Sequence, residues 1–124
     1  MKVLLSIKPE YADKILNGTK HYEFRKSAFK REGIKTVVVY STLPVGKVVG
    51  EFDIEEILTD TPDELWKLTK ENAGISKNFF DEYYSGKDSA VAIKVGNIQR
   101  YKQAIELSQL GHGITAPQSY RYLN

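Results

Sequence analysis

The chain has 124 residues, 41% hydrophobic and 27% charged, enough for one domain with one core and too few for two ordinary ones. It contains no cysteine, which excludes disulfides and thiolate metal sites. Its formal charge of +2 is too small to imply a nucleic-acid partner by itself.

The opening MKVLLSIKPEYADK holds too short an apolar run for a signal-peptide core. No stretch approaches the roughly 20 apolar residues that a membrane span needs. The expectation is a soluble cytoplasmic chain with no membrane partner. VLLSI (3–7) reads as a buried strand, being short, apolar and partly β-branched. Pro9 suits the first turn of a helix, Glu10 complements that positive end, and Ala12, Ile15 and Leu16 recur at helical spacing. Gly18 ends this helix, because glycine takes the left-handed conformation without strain.

HYEFR (21–25) alternates, with Tyr22 and Phe24 on one face and His21, Glu23 and Arg25 on the other. Residues 26–35 are polar and read as a loop. TVVVYST (36–42) is a strong strand, LPVGK turns, and 48–58 returns as a strand with Phe52, Ile54 and Ile57 inward and a bulge near Glu55-Glu56. TPDELWKLTKEN predicts a helix with Thr61 as N-cap and Leu65, Trp66, Leu68 and Thr69 on its apolar face. SKNFFDEYYSG predicts a second helix from Ser76 to Gly86, and residues 89–107 one or two strands broken at Gly96-Asn97. The ending APQSYRYLN predicts a final strand or packed tail. The helices cluster and the strands dominate, which predicts an α+β fold built as a small, partly closed β-barrel with helices packed at its ends.

Charge is segregated along the chain. Lys20, Arg25, Lys26, Lys30, Arg31 and Lys35 are opposed only by Glu23 and Glu32, whereas Glu51 to Glu64 carries only acids. Two solvated faces of opposite sign explain this as well as a binding face does. The densest chemistry lies in GTKHYEFR. Glu23 and Arg25 share a strand face, and Lys20 sits close enough to the turn to escape strand parity. Together they can hold an anion, accept N–H groups and fork onto a phosphate or base edge. Spacing alone points first to an exposed Glu23–Arg25 pair of small energetic value beside a solvated lysine.

Gly18-x-Lys20-x-x-Glu23-x-Arg25 resembles the G-x-K-x-x-E-x-R motif of ASCH domains, small relatives of the PUA domains of RNA-modifying proteins. LLSIKPEYADKILNG is similar to that family's first strand and helix, and VVVYSTLPVGKVVGEFDIEEI to its central hairpin. APQSYRYL resembles the ending of bacterial and phage members, so the resemblance covers most of the chain. It implies a PUA-like barrel whose cleft, beside the first helix, binds RNA or a nucleotide-like ligand through Lys20, Glu23 and Arg25. A regulatory role in transcription or translation is also implied.

Ser6, Lys8, Tyr40 and Ser41 fall at strand ends that can rim such a cleft, and Gln118 and Ser119 can close it from the tail. Each serves equally well as a cap or turn residue. Lys26, Lys30, Arg31 and Lys35 supply a basic rim for phosphates, so binding is expected to weaken as salt rises. Some relatives are enzymes. One subgroup hydrolyses the acetyl amide of acetylcytidine with a lysine, a threonine and a glutamate. Lys20 matches the lysine and Glu71 resembles the helical glutamate, but Glu23 stands where the threonine would be. A ribonuclease activity is proposed for the wider family, and Lys20, Tyr40 and a second base suit metal-free cleavage.

His21 and His112 are far apart in the chain and predict no metal site. No nucleotide-binding glycine loop or nucleophile elbow is present, and no cofactor is expected. No helix-turn-helix pattern supports DNA as a partner.

Overall fold

A computed structural model describes residues 1–123. The chain runs β1 (Lys2–Ile7), α1 (Pro9–Leu16), β2 (Tyr22–Arg25), β3 (Thr36–Ser41), β4 (Lys47–Asp60), α2 (Pro62–Thr69), α3 (Lys77–Tyr83), β5 (Ala90–Ile105) and β6 (Tyr120–Leu123). Short 3-10 turns follow α2 (Lys70–Asn72) and β5 (Leu107–Leu110). The six strands form one mixed sheet in the order β2-β5-β4-β3-β1-β6. Among the described residues only β1 and β3 pair in parallel. The sheet curls into a half-barrel, the α+β architecture expected. No helix among the described residues is long and apolar enough to cross a membrane.

Curling follows from the long β4–β5 ribbon, whose register shifts between Val48 and Gly50, Phe52 and Ile54, and Ile54 and Glu56. Each irregularity bends the strands and increases their twist. Both faces of β1 and β3 are buried, which explains their unbroken apolar sequences. Val3, Leu5, Ile7, Val37 and Val39 pack with α1 residues Ala12 and Ile15, and with Phe52 and Ile93. Leu4, Val38, Tyr40 and Val48 face the other way, toward Tyr101, Ile105 and Leu110. A third cluster joins α2 and α3 to β2 and β5 through Phe24, Leu65, Phe80, Tyr84, Ala90 and Ala92.

The helix caps are those the sequence specifies. Thr61 Oγ1 accepts from the Glu64 N–H, and Ser76 Oγ from the Phe79 N–H. Three expectations need correction. Ile57 is exposed, because the inward face continues through Phe52, Ile54 and Leu58. Leu68 is also exposed, since α2 presents Leu65, Trp66 and Thr69 to the core. Residues 90–105 form one continuous strand, with Gly96 acting not as a breaker but as a point of close approach. A Cβ there would lie 3.0 Å from the Asp53 carbonyl oxygen. The tail does end in a strand; Asn124, its last residue, lies outside the described residues.

Gly50 sits at the first register shift, where an added Cβ would meet the Gln99 carbonyl oxygen at 2.6 Å and a Leu16 methyl at 3.0 Å. Gly50→Ala is therefore expected to destabilise the fold by about 1–3 kcal/mol, read as a lower urea midpoint with an unchanged slope.

Candidate functional site

Helix α1 ends in a turn that aims Lys20 inward. Gly18 adopts φ +87°, and the Lys14 carbonyl accepts the N–H groups of both Thr19 and Lys20. The next N–H, from His21, donates to the Asn72 carbonyl at 2.9 Å, tying this segment to the turn after α2. Strand β2 starts only at Tyr22, so Lys20 is free of strand parity, as expected. Its side chain is 2% exposed. The ammonium donates to the Ala73 carbonyl and lies 4.8 Å from the Phe24 ring centroid and 5.4 Å from that of Tyr11. Gly74, at φ +70°, provides the room: a Cβ there would stand 2.5 Å from Lys20 Cγ.

Glu23 and Arg25 follow on β2. Arg25 Nη1 lies 3.8 Å from Glu23 Oε2, while Nη2 donates to the backbone carbonyl and hydroxyl of Ser119 at 2.8 and 2.9 Å. This second contact spans the gap between β2 and β6, the two edges of the curled sheet. Among the described residues the Glu23 carboxylate accepts no hydrogen bond, although Glu23 is only 8% exposed. Burial draws the Lys20 ammonium down to about 8, against the upward pull of Glu23. Burial likewise pushes Glu23 up to about 7, against the pull of Lys20 and Arg25.

These three groups line one cleft of about 180 Å³. Ser6 and Lys8 contribute from the junction of β1 and α1, Tyr11 from α1, and Phe79 and Tyr83 from α3. An apolar cavity of about 150 Å³ accepts a benzene ring, so this space suits one aromatic ring. The cleft can offer such a ring aromatic faces, an acceptor in Glu23 and cations in Lys20, Arg25 and Lys8.

A second hollow adjoins the first. It is lined by Arg25, Lys26, Ser27, Tyr83, Gln118 and Ser119, so the tail residues named from the sequence lie here and not over the main cleft. Tyr40 is buried with Leu4 and Val48 on the far side of the sheet, and Ser41 is buried at the end of β3; neither lines the cleft. Glu71 is exposed on the 3-10 turn and lines neither hollow. Of the expected rim, Arg31 stacks on Tyr122 at 4.4 Å from the ring centroid, and Lys30 and Lys35 are exposed. His21 places Nε2 3.0 Å from the Gly18 carbonyl oxygen.

Sequence reasoning misses Tyr11, and the helical spacing of NFFDEYY reads first as core packing and only second as a base-stacking platform, so Phe79 and Tyr83 are not among the site residues it names. NFFDEYY carries two aromatic pairs four residues apart, Phe79/Tyr83 and Phe80/Tyr84. Phe80 and Tyr84, the latter capping α3, are buried in the core, whereas Phe79 and the half-buried Tyr83, which packs against that core, line the cleft.

The ASCH domain family model matches residues 5–104. The chain is 36% identical over 88 residues to the large ribosomal subunit protein uL22 of Ureaplasma parvum serovar 3, covering 70% of this chain and 28% of that protein. It thus spans little more than a quarter of that relative's length. It is 26% identical over 124 residues to an ASCH domain-containing ribonuclease of Zymomonas mobilis, covering 98% of this chain and 84% of that protein. The crystal structure of ASCH from Zymomonas mobilis matches with a TM-score of 0.91 at 26% identity, over 99% of this chain and 87% of that one. The N-terminal domain of Staphylothermus marinus McrB shares the fold at a TM-score of 0.54 and 14% identity.

The buried pair sets a pH signature. Glu23 binds its proton more tightly folded than unfolded, so stability is expected to fall as pH rises from about 4.5 to about 7. Lys20 binds its proton less tightly folded, so stability should recover from about pH 8 toward 10.5. Urea midpoints measured across this range should show a minimum between pH 7 and 8, and Glu23→Gln should remove the acid-side decline.

Proposed function

The chain belongs to the ASCH domain family, and from that membership and the geometry of the cleft we propose that it binds single-stranded RNA, seating one unpaired base between α1 and α3. The observation that carries this reading is the Glu23 carboxylate, which accepts no hydrogen bond among the described residues, has only the Arg25 guanidinium at 3.8 Å, and lines a ring-sized, aromatic-walled cleft. A base edge supplies the N–H groups that Glu23 lacks, and Tyr11, Phe79 and Tyr83 supply faces for stacking. Lys20, Arg25 and Lys8 outnumber the single carboxylate, so the site attracts a polyanion despite the chain's small net charge. A regulatory use of such binding in transcription or translation is compatible with a small binding domain.

A second reading, cleavage of the bound RNA, draws support from two observations. The Zymomonas mobilis relative is named a ribonuclease, and burial lowers the Lys20 ammonium to about 8, so that a minor fraction of it is neutral amine near physiological pH. A neutral Lys20 can take the proton from a ribose 2′-hydroxyl, whose oxygen then bonds to the adjacent phosphorus as the P–O5′ bond breaks. The 5′-oxygen leaves with a proton from water and a 2′,3′-cyclic phosphate remains, while Arg25 faces the charge developing on the phosphoryl oxygens. Amide hydrolysis on acetylcytidine has less support, because Glu71 stands outside the cleft and Glu23 occupies the hydroxyl position.

Two measurements test these readings. In fluorescence anisotropy with a labelled mixed-sequence 12-nucleotide RNA, Phe79→Ala should weaken binding by about 1–3 kcal/mol, the usual stacking contribution of one base. Arg25→Ala should weaken binding more than it lowers the thermal midpoint; unchanged affinity in both variants would refute the base pocket. For cleavage, the expected result is RNA scission whose rate climbs about tenfold per pH unit below pH 8 and levels above it, with Lys20→Met inactive. Intact RNA after prolonged incubation at pH 8.5 leaves binding alone.

A further inference from the structure

Building on the base-binding reading, we propose that the second hollow is a phosphodiester subsite, so that the ligand is an RNA chain continuing past the seated base and not a free nucleoside. Arg25 and Tyr83 form a wall common to both hollows. A base entering the first therefore delivers its sugar–phosphate link directly to the second. The second hollow measures about 230 Å³.

Charge separates the two compartments. The first has Glu23 at its floor, and a carboxylate repels a phosphate. Among the described residues no acidic side chain lines the second, which instead holds Arg25, Lys26, two serine hydroxyls and the Gln118 amide. Guanidinium, ammonium, hydroxyl and amide groups are the ones that contact phosphate and sugar oxygens.

The two cations have capacity left for a ligand. Arginine carries five N–H donors. Among the described residues Arg25 donates hydrogen bonds only from Nη2, to Ser119; Nη1 faces Glu23 Oε2 at 3.8 Å without a hydrogen bond, and Nε has none. That contact fixes the plane of the guanidinium at the shared wall. The Lys26 ammonium rests over the Tyr83 ring, 4.8 Å from its centroid, and forms no ion pair among the described residues. A cation held by a ring face keeps its outer side for an anion. Tyr83 would thus do two jobs, stacking a base on one side and placing Lys26 on the other.

The test uses the whole chain and the labelled 12-nucleotide RNA between 50 and 200 mM KCl, with unlabelled nucleosides as competitors. Lys26→Ala, at an exposed position, is expected to keep the wild-type thermal midpoint and to weaken RNA binding about fivefold at 100 mM salt. It should also flatten the plot of log affinity against log salt by about 0.7, the contribution of one single-strand phosphate contact. Lys26→Arg should restore both, and nucleosides should compete equally against wild type and Lys26→Ala. If Lys26→Ala changes neither affinity nor slope while Phe79→Ala still weakens binding, the subsite is refuted and the base pocket stands. Nucleosides competing as tightly per molecule as the 12-mer would likewise refute it. If the wild-type protein does not bind the RNA, both readings fall together.

Discussion

A lysine ammonium withdrawn from water is the constraint around which this end of the molecule is organised. Removing such an ion from solvent costs several kcal/mol unless its surroundings compensate. For Lys20 the compensation comes from separate elements: the Ala73 carbonyl after α2, the Tyr11 ring on α1, and the Phe24 ring and Glu23 charge on β2. Apart from the adjacent Glu23 and Phe24, these groups are separated in sequence and meet only through the fold. The helical layer and the sheet are therefore fastened at the same point where the cleft opens. Gly74 belongs to that fastening, since any larger residue would occupy the space of the lysine stem.

Much of this was readable before any coordinates. Apolar runs gave β1 and β3, the Thr61 and Ser76 caps gave α2 and α3, and the glycine stop at residue 18 placed Lys20 beyond strand parity. What the sequence hid was direction. Tyr40 alternates with valines in a strand buried on both faces, so no periodicity reveals which side it serves. The two aromatic pairs of α3 are equivalent in composition, and only the position of the sheet decides that Phe80 and Tyr84 are core while Phe79 and Tyr83 face the cleft. Gly96 reads as a break because glycine has two uses, and its close-packing use depends on Asp53, far away in the chain.

The charge pattern follows the same logic. A formal charge of +2 says little, but within the basic stretch Lys20 and Arg25 line the cleft beside the Glu23 carboxylate, and Arg25 and Lys26 line the neighbouring hollow, where no acidic side chain stands among the described residues. Two neighbouring compartments of different character are thus drawn from a single short stretch, because β2 turns Glu23 and Arg25 to one face and the chain then passes Lys26 across the rim. Family membership fits this scaffold, and the likeness to the Zymomonas mobilis structure extends over nearly the whole chain.

The curled sheet leaves β2 and β6 as its two margins, each four residues long. An open margin invites a strand from a neighbouring molecule, and short margins are one way natural sheets resist that self-association. Here each margin offers only a brief row of backbone donors and acceptors, and the Arg25 side chain crosses the space where a foreign strand would insert. The arrangement that shapes the cleft thereby also guards the sheet against aggregation at high protein concentration.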